Sequence, residues 1–223
     1  MSDEAAAAGR SREAHWWLRA LAALTSPRSA FVGIRDDSER EAEARAEPVL
    51  ALTLLAGIAG VLATPSVGNL LDSPERDALV VAVLVFLSGT LYGAATYWLG
   101  GGAVALGIRA AGGRGSYRQA RHILAFAAAP LALSLLVLLP LRFAAYGADL
   151  FRSGGADETA SSRWAFDALQ SGFFLWAAAL LVVGVRTVYA WPVVRTLGAL
   201  VLALLALYAL ALVLQPSLAP RLA

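Results

Sequence analysis

ALVVAVLVFLSGTLYGAATYWLGGGAVALGI (78–108) runs for 31 residues without an Asp, Glu, Lys, Arg or His. RAAGGRGSYRQAR (109–121), with four arginines and no acid, follows at once. A soluble amphipathic helix of that length would turn polar side chains to water on its outer face, and none is spaced to do so. About 20 apolar residues cover a ~30 Å hydrocarbon layer, so the stretch is longer than one crossing needs. It reads as one tilted helix that projects past the bilayer, or as a helix kinked near Gly100, Gly101 and Gly102. Two crossings would place the arginine loop on the outer side, against the positive-inside rule.

Working outward, four more apolar stretches appear: 48–64 (PVLALTLLAGIAGVLAT), 122–141, 166–185 and 196–214 (TLGALVLALLALYALALVL). Pro130 and Pro140 lie in the third, and Asp167, Gln170 and Ser171 interrupt the start of the fourth. The chain is 59% hydrophobic and 15% charged, with mean hydropathy +0.65. Soluble domains run near half apolar and a quarter charged. The expected fold is all-α, an integral membrane bundle of five transmembrane helices.

Loop charges orient it. Segments 1–47, 109–121 and 186–195 hold seven, four and two arginines, and the alternate segments one, three and one. The two inner loops contain no acid, whereas the outer ones carry Asp72, Glu75, Asp77, Asp149, Asp157 and Glu158. The positive-inside rule then gives N-in/C-out. Tyr97, Trp98, Trp164, Tyr189 and Trp191 fall near span ends, where amphipathic rings favour the headgroup layer. The domains are a cytoplasmic N-terminal segment (1–47), the membrane domain (48–215) and a short external tail (216–223).

Residues 1–47 do not read as a cleaved leader, because they contain seven arginines, nine acids and no short apolar core before a small-residue site. Residues 12–26 place Trp17, Leu21 and Leu24 on one helical face, as in an amphipathic helix on the cytoplasmic membrane surface. Residues 36–46 (DDSEREAEARA) pair Asp36 with Arg40 and Glu41 with Arg45 at i,i+4, which supports an exposed charged helix. That acidic stretch offers a dock for a basic partner or simply a solvated face.

Chemistry is sparse. The absence of Cys excludes disulfides, thiol catalysis and thiolate metal sites. His15 and His122 are too far apart for a local metal pair, and each reads as a hydrogen-bonding residue at an interface. Ser88 and Ser134 have no membrane-depth base, and no pair of intramembrane aspartates exists. The span centres lack ionisable residues, the usual mark of a transport path. A transporter would have to work through Thr90, Tyr92, Thr96, Ser134 and backbone carbonyls. Gly112, Gly113 and Gly115 match neither a phosphate-binding nor a dinucleotide fingerprint. No catalytic, cofactor or metal site is expected, no nucleic-acid partner at a net charge of +2, and no enzymatic activity.

Two interaction surfaces remain. Arg109, Arg114, Arg118 and Arg121, with the loop amides, suit an anionic lipid phosphate or a protein partner, and equally an ordinary positive-inside anchor. Gly57 and Gly60 on the first span, and Gly89-x-x-x-Gly93 on the second, suit close helix packing. That packing is either a homo-oligomer seam or the interior of one bundle.

LTSPRSAFVGI (24–34), the charged stretch, five apolar segments and GGRGSYRQARHILAFAAAP (112–130) together resemble the Yip-one (Ypt-interacting protein) domain family, in its prokaryotic branch. Pro27 and Phe31 before the first span, Gly112, Gly113, Gly115 and Gln119 in the turn, Pro130 in the third span, and WAAALLVVGVR (176–186) carry the resemblance over about 24–214. It implies a multi-pass membrane protein with no enzymatic site. Eukaryotic members bind prenylated Rab-type GTPases in traffic between endoplasmic reticulum and Golgi. Their Asp-Leu-Tyr-Gly-Pro signature is replaced here by AEARAEPVL (42–50), so a GTPase partner does not carry over. The use of Arg alone, without Lys, fits a GC-rich bacterial source, and the expected location is a bacterial or archaeal plasma membrane. The functional expectation is a scaffold or adaptor that organises membrane proteins or membrane shape. The alternative is a small-solute transporter or channel.

Overall fold

The computed structural model describes residues 16–35, 46–62, 64, 78–147 and 159–218. Among them the chain is helical, without a strand. Two short helices, α1 (Trp16–Thr25) and α2 (Pro27–Arg35), come first. The apolar helices follow: α3 (Ala46–Leu62), then α4 (Ala78–Ala95), which passes through a π-helical turn (Thr96–Gly100) into α5 (Gly101–Ala110). Next come α6 (Tyr117–Ala127), α7 (Ala129–Tyr146), α8 (Arg163–Tyr189) and α9 (Val193–Leu218). Leu79–Ala110, Tyr117–Tyr146, Arg163–Tyr189 and Val193–Val213 are long and apolar enough to cross a membrane, and Val49–Leu62 is a shorter apolar helix. The bundle thus has four to five candidate spans, the fifth resting on α3.

Burial shows which solvent these helices are built for. Leu79, Leu91, Leu175, Leu204 and Val213 are each at least 66% exposed on the outer faces, where only lipid would tolerate them. The α6–α7 window is 56% buried, against 17% for α8, so α6–α7 is the inner helix. Small residues let its neighbours close in: Ala125, Ala127, Ala129 and Ala132 are buried along it. On α4 a single stripe four residues apart, Val81, Val85, Gly89 and Gly93, is buried while the rest of the helix faces outward.

The long second stretch stays helical, and its irregularity falls just ahead of the three glycines rather than on them. The π turn adds a residue over Thr96–Gly100 and leaves Tyr97 and Gly100 pointing inward. The glycines serve close approach instead: a Cβ on Gly100 would come within 2.9 Å of Leu124, and one on Gly101 would run into Arg121. The third stretch is interrupted at Ala128, two residues before Pro130. Pro130 has no N–H to offer, and the Leu131 amide bonds back to the Ala128 carbonyl at 2.9 Å.

The fourth stretch is longer than its sequence suggests. Asp167 accepts from Arg142 at 3.5 Å and Arg163 at 3.3 Å, so the acid that interrupts the apolar run is neutralised within a continuous helix. With Asp167 55% exposed, these pairs contribute under about 1 kcal/mol.

The amphipathic helix expected over 12–26 is described from Trp16 to Thr25. Pro27 opens α2, at the first helical position where its missing N–H costs nothing. Phe31 is completely buried, with its ring filling the space beside Gly184 of α8. α2 is therefore docked into the bundle. Apart from Ala46, the charged helix expected over 36–46 lies outside the described residues.

The helix pairs α3/α4, α5/α6, α7/α8 and α5/α9 run antiparallel. Gly93 lies against Thr53, Gly101 against Arg121, Asp167 beside Arg142, and Arg195 beside Ala111. α2, the α5–α6 turn and the α8–α9 turn are consequently gathered at one end.

Candidate functional site

The gathered end is built around the stop of α5. Gly112 adopts φ +82°, which lets the Gly113 amide donate to the Ile108 carbonyl at 2.8 Å and the Gly112 amide to the Arg109 carbonyl at 2.9 Å. This is a Schellman closure, and it needs glycine at the left-handed position. Of the two carbonyls it leaves over, that of Ala111 accepts both Nε and Nη2 of Arg195, at 2.9 and 2.7 Å. A cation at a helix C-terminus is favourable, and Arg195 also lies over the Trp191 ring at 4.1 Å. Gly113 and Gly115 clear space for neighbours: a Cβ on Gly113 would meet Trp191 at 2.8 Å, and one on Gly115 would collide with the Tyr189 hydroxyl.

Ser116 caps α6 by accepting from the Gln119 amide at 3.1 Å. The Gln119 side chain joins two further elements. Its Nε2 donates to the Ile34 carbonyl of α2 at 3.4 Å, and its Oε1 accepts from the Tyr189 hydroxyl at 3.1 Å. The Tyr117 hydroxyl donates to the Trp98 carbonyl in the π turn at 2.8 Å. The Arg121 guanidinium sits 4.5 Å from the centre of the Tyr117 ring and 4.9 Å from that of Tyr97, each contact worth about 0.5–1 kcal/mol.

All four arginines singled out in the sequence reach this end, but they divide. Arg109 and Arg114 are exposed, while Arg118 and Arg121 are half-buried. Arg121 is held between two tyrosines, and the Gly112 and Gly113 amides are committed to α5. The surface open to a ligand is thus the outer arginines rather than a glycine nest. Sequence reasoning missed Arg195, Gln119 and Tyr189 as braces. The one signal for Arg195 was its position in a short acid-free loop, which had served only to orient the chain. His122, read as an interface residue, is buried in the interior at 3% exposure.

The glycines Gly57, Gly89 and Gly93 come together inside one chain. A Cβ on Gly57 would collide with the backbone of Gly89 and Gly93, and one on Gly89 would lie 2.6 Å from Cα of Ile58. Gly60 stands apart, with only the Tyr92 ring within reach, at 3.5 Å. Gly107, not anticipated, makes a similar approach to α9, where a Cβ would collide with the Ala199 carbonyl and lie 3.0 Å from the Ala203 amide nitrogen. Among the described residues no cluster of His, Cys, Asp or Glu is arranged to hold a metal ion.

Apolar helices in a bundle, lipid-facing leucines and a one-sided arginine platform define a multi-pass helical membrane protein. The Yip1 domain family profile matches residues 21–214. The chain belongs to that family. No curated protein and no solved structure matches it significantly.

Proposed function

We propose that the protein is a non-enzymatic scaffold or adaptor whose arginine-rich end faces the cytoplasm and holds a membrane or cytoplasmic protein partner. The carrying observation is the convergence of α2, the α5–α6 turn and the α8–α9 turn. Three segments far apart in sequence are cross-linked there by Gln119, Tyr189 and Arg195. Segments 16–35, 109–122 and 186–195 contain nine arginines and no acid, and such a face attracts anionic surfaces. Rigid bracing below exposed cations is what a docking platform requires.

Four hydroxyls within the spans support the same reading. Thr53 donates to Val49, Ser88 to Val85, Ser134 to Leu131 and Thr196 to Pro192, each within its own helix or its first turn. They satisfy themselves rather than line a path for a solute.

The test places a photo-crosslinking residue at Arg109, Arg114 or the lipid-facing Leu204 in native membranes. Discrete protein adducts from the two arginine positions, with lipid adducts alone from Leu204, are the expected result. Solute flux through reconstituted vesicles that is lost in Gly93→Leu overturns the proposal. Sidedness has its own test, because the chain has no native Cys. Arg114→Cys should resist an impermeant thiol reagent on intact cells, and Ser161→Cys should react.

A further inference from the structure

The arginine platform has an opening that the braces do not fill. Between α2 and the α8–α9 turn lies a cleft of about 370 Å³ lined by Arg28, Val183, Arg186, Thr187, Ala190 and Trp191. Arg28 and Arg186 are exposed, and among the described residues neither guanidinium has a hydrogen-bond or ion-pair partner. Two guanidiniums on one cavity repel each other unless an anion lies between them, and their forked donors match phosphate geometry. Thr187 adds a hydroxyl that donates or accepts.

The turn that forms the cleft carries a backbone irregularity. Ala190 has φ 52°, the positive-φ position among the described residues that is not glycine. A side chain there costs about 1–2 kcal/mol. The conformation carries Trp191 back over the end of α8, with its amide on the Arg186 carbonyl at 3.2 Å, so the indole walls one side. Strain of this kind concentrates at binding sites.

The lining also has two characters. Arg28, Arg186 and Thr187 are polar, while Val183 lies one helical turn further into the apolar part of α8, and Ala190 and Trp191 complete an apolar flank. A polar head with an apolar flank continuing toward the hydrocarbon suits a phospholipid better than a free ion.

We propose that this cleft binds one phosphate-bearing anionic group, supplied by a phospholipid headgroup, with Arg28 and Arg186 on its charge and Thr187 on a phosphate oxygen. The site is independent of any protein partner of the platform, so it stands or falls apart from the scaffold reading.

The experiment uses the full chain purified in mild detergent and counts bound lipid by native mass spectrometry. Phosphatidylglycerol, phosphatidylcholine and inorganic phosphate are the probes. Wild type should retain one phosphatidylglycerol at least tenfold more tightly than phosphatidylcholine. Arg28→Gln/Arg186→Gln should lose that tenfold preference. Arg28→Lys/Arg186→Lys, which keeps charge but not the fork, should lose about threefold. Arg114→Gln, on the same face but outside the cleft, should change binding less than twofold. Inorganic phosphate that fails to displace the lipid at millimolar concentration supports the headgroup as source, and displacement below that supports the anion site with a soluble occupant. Equal loss in Arg114→Gln, or no preference between the two lipids, overturns the proposal. An unchanged unfolding midpoint for the double variants separates lost binding from lost folding.

Discussion

Gly57→Ala and Gly60→Ala add the same methyl group one helical turn apart and should behave very differently. At Gly60 the new carbon meets only the edge of Tyr92 at 3.5 Å, an ordinary van der Waals distance. At Gly57 it lands on the backbone of Gly89 and Gly93, and main-chain atoms cannot rotate away. α3 and α4 must therefore move apart by close to an ångström. An interface of on the order of 40 atom pairs at ~0.15 kcal/mol each holds ~6 kcal/mol, and a gap of that size forfeits a quarter to a half. The expected loss is about 1.5–3 kcal/mol, within the range for overpacked cores. Because lipid offers apolar side chains as good a home as another helix does, this contact energy has no hydrophobic reserve behind it. Unfolding in mixed detergent–SDS micelles, followed by tryptophan fluorescence, gives the difference between the two variants directly. Equal midpoints would refute the geometry. A Gly57→Ala chain of normal stability but altered oligomeric state would show that the glycines belong to a seam between chains.

Three more outcomes follow from the platform and its docking. Gln119→Leu removes the bridge between Ile34 and Tyr189, so amide exchange in α2 should accelerate about tenfold by hydrogen-exchange mass spectrometry, equivalent to ~1.4 kcal/mol for two neutral bonds. Phe31→Ala empties a fully buried site beside Gly184 and should cost about 3–5 kcal/mol, read from the same SDS titration, with α2 becoming protease-sensitive before the membrane helices unfold. Arg195→Lys keeps a charge near the Ala111 carbonyl but cannot fork onto it while stacking on Trp191, so it should lower the SDS midpoint nearly as much as Arg195→Ala, each by about 1 kcal/mol.

Each apolar stretch named in the sequence is helical, the second as α4, a π turn and α5 and the third as α6 and α7, because hydrocarbon length and the absence of charge are properties of the chain alone. What stayed hidden depended on partners distant in sequence. At the unbroken start of α8, Asp167 has a partner from another helix, Arg142, 25 residues away, beside its local partner Arg163. Pro27 opens a second short helix, and the burial of Phe31 against α8 that docks it depends on a partner about 150 residues away. The glycine turn at 112–115 could be read as a phosphate nest or a helix stop, and local sequence does not choose between them. Arg195 decides it by reaching across to the Ala111 carbonyl, one of the two that the Schellman closure leaves unpaired.

The interruption at Ala128 divides the inner helix. A continuous α-helix carries an unbroken ladder along its whole length, whereas the missing amide at Pro130 removes one bond from it near the middle of the inner helix. α6, which carries the platform, and α7, which carries the Arg142–Asp167 clasp, meet where that ladder is one bond short. The platform end and the clasp end of the inner helix thereby belong to two hydrogen-bonded segments rather than one.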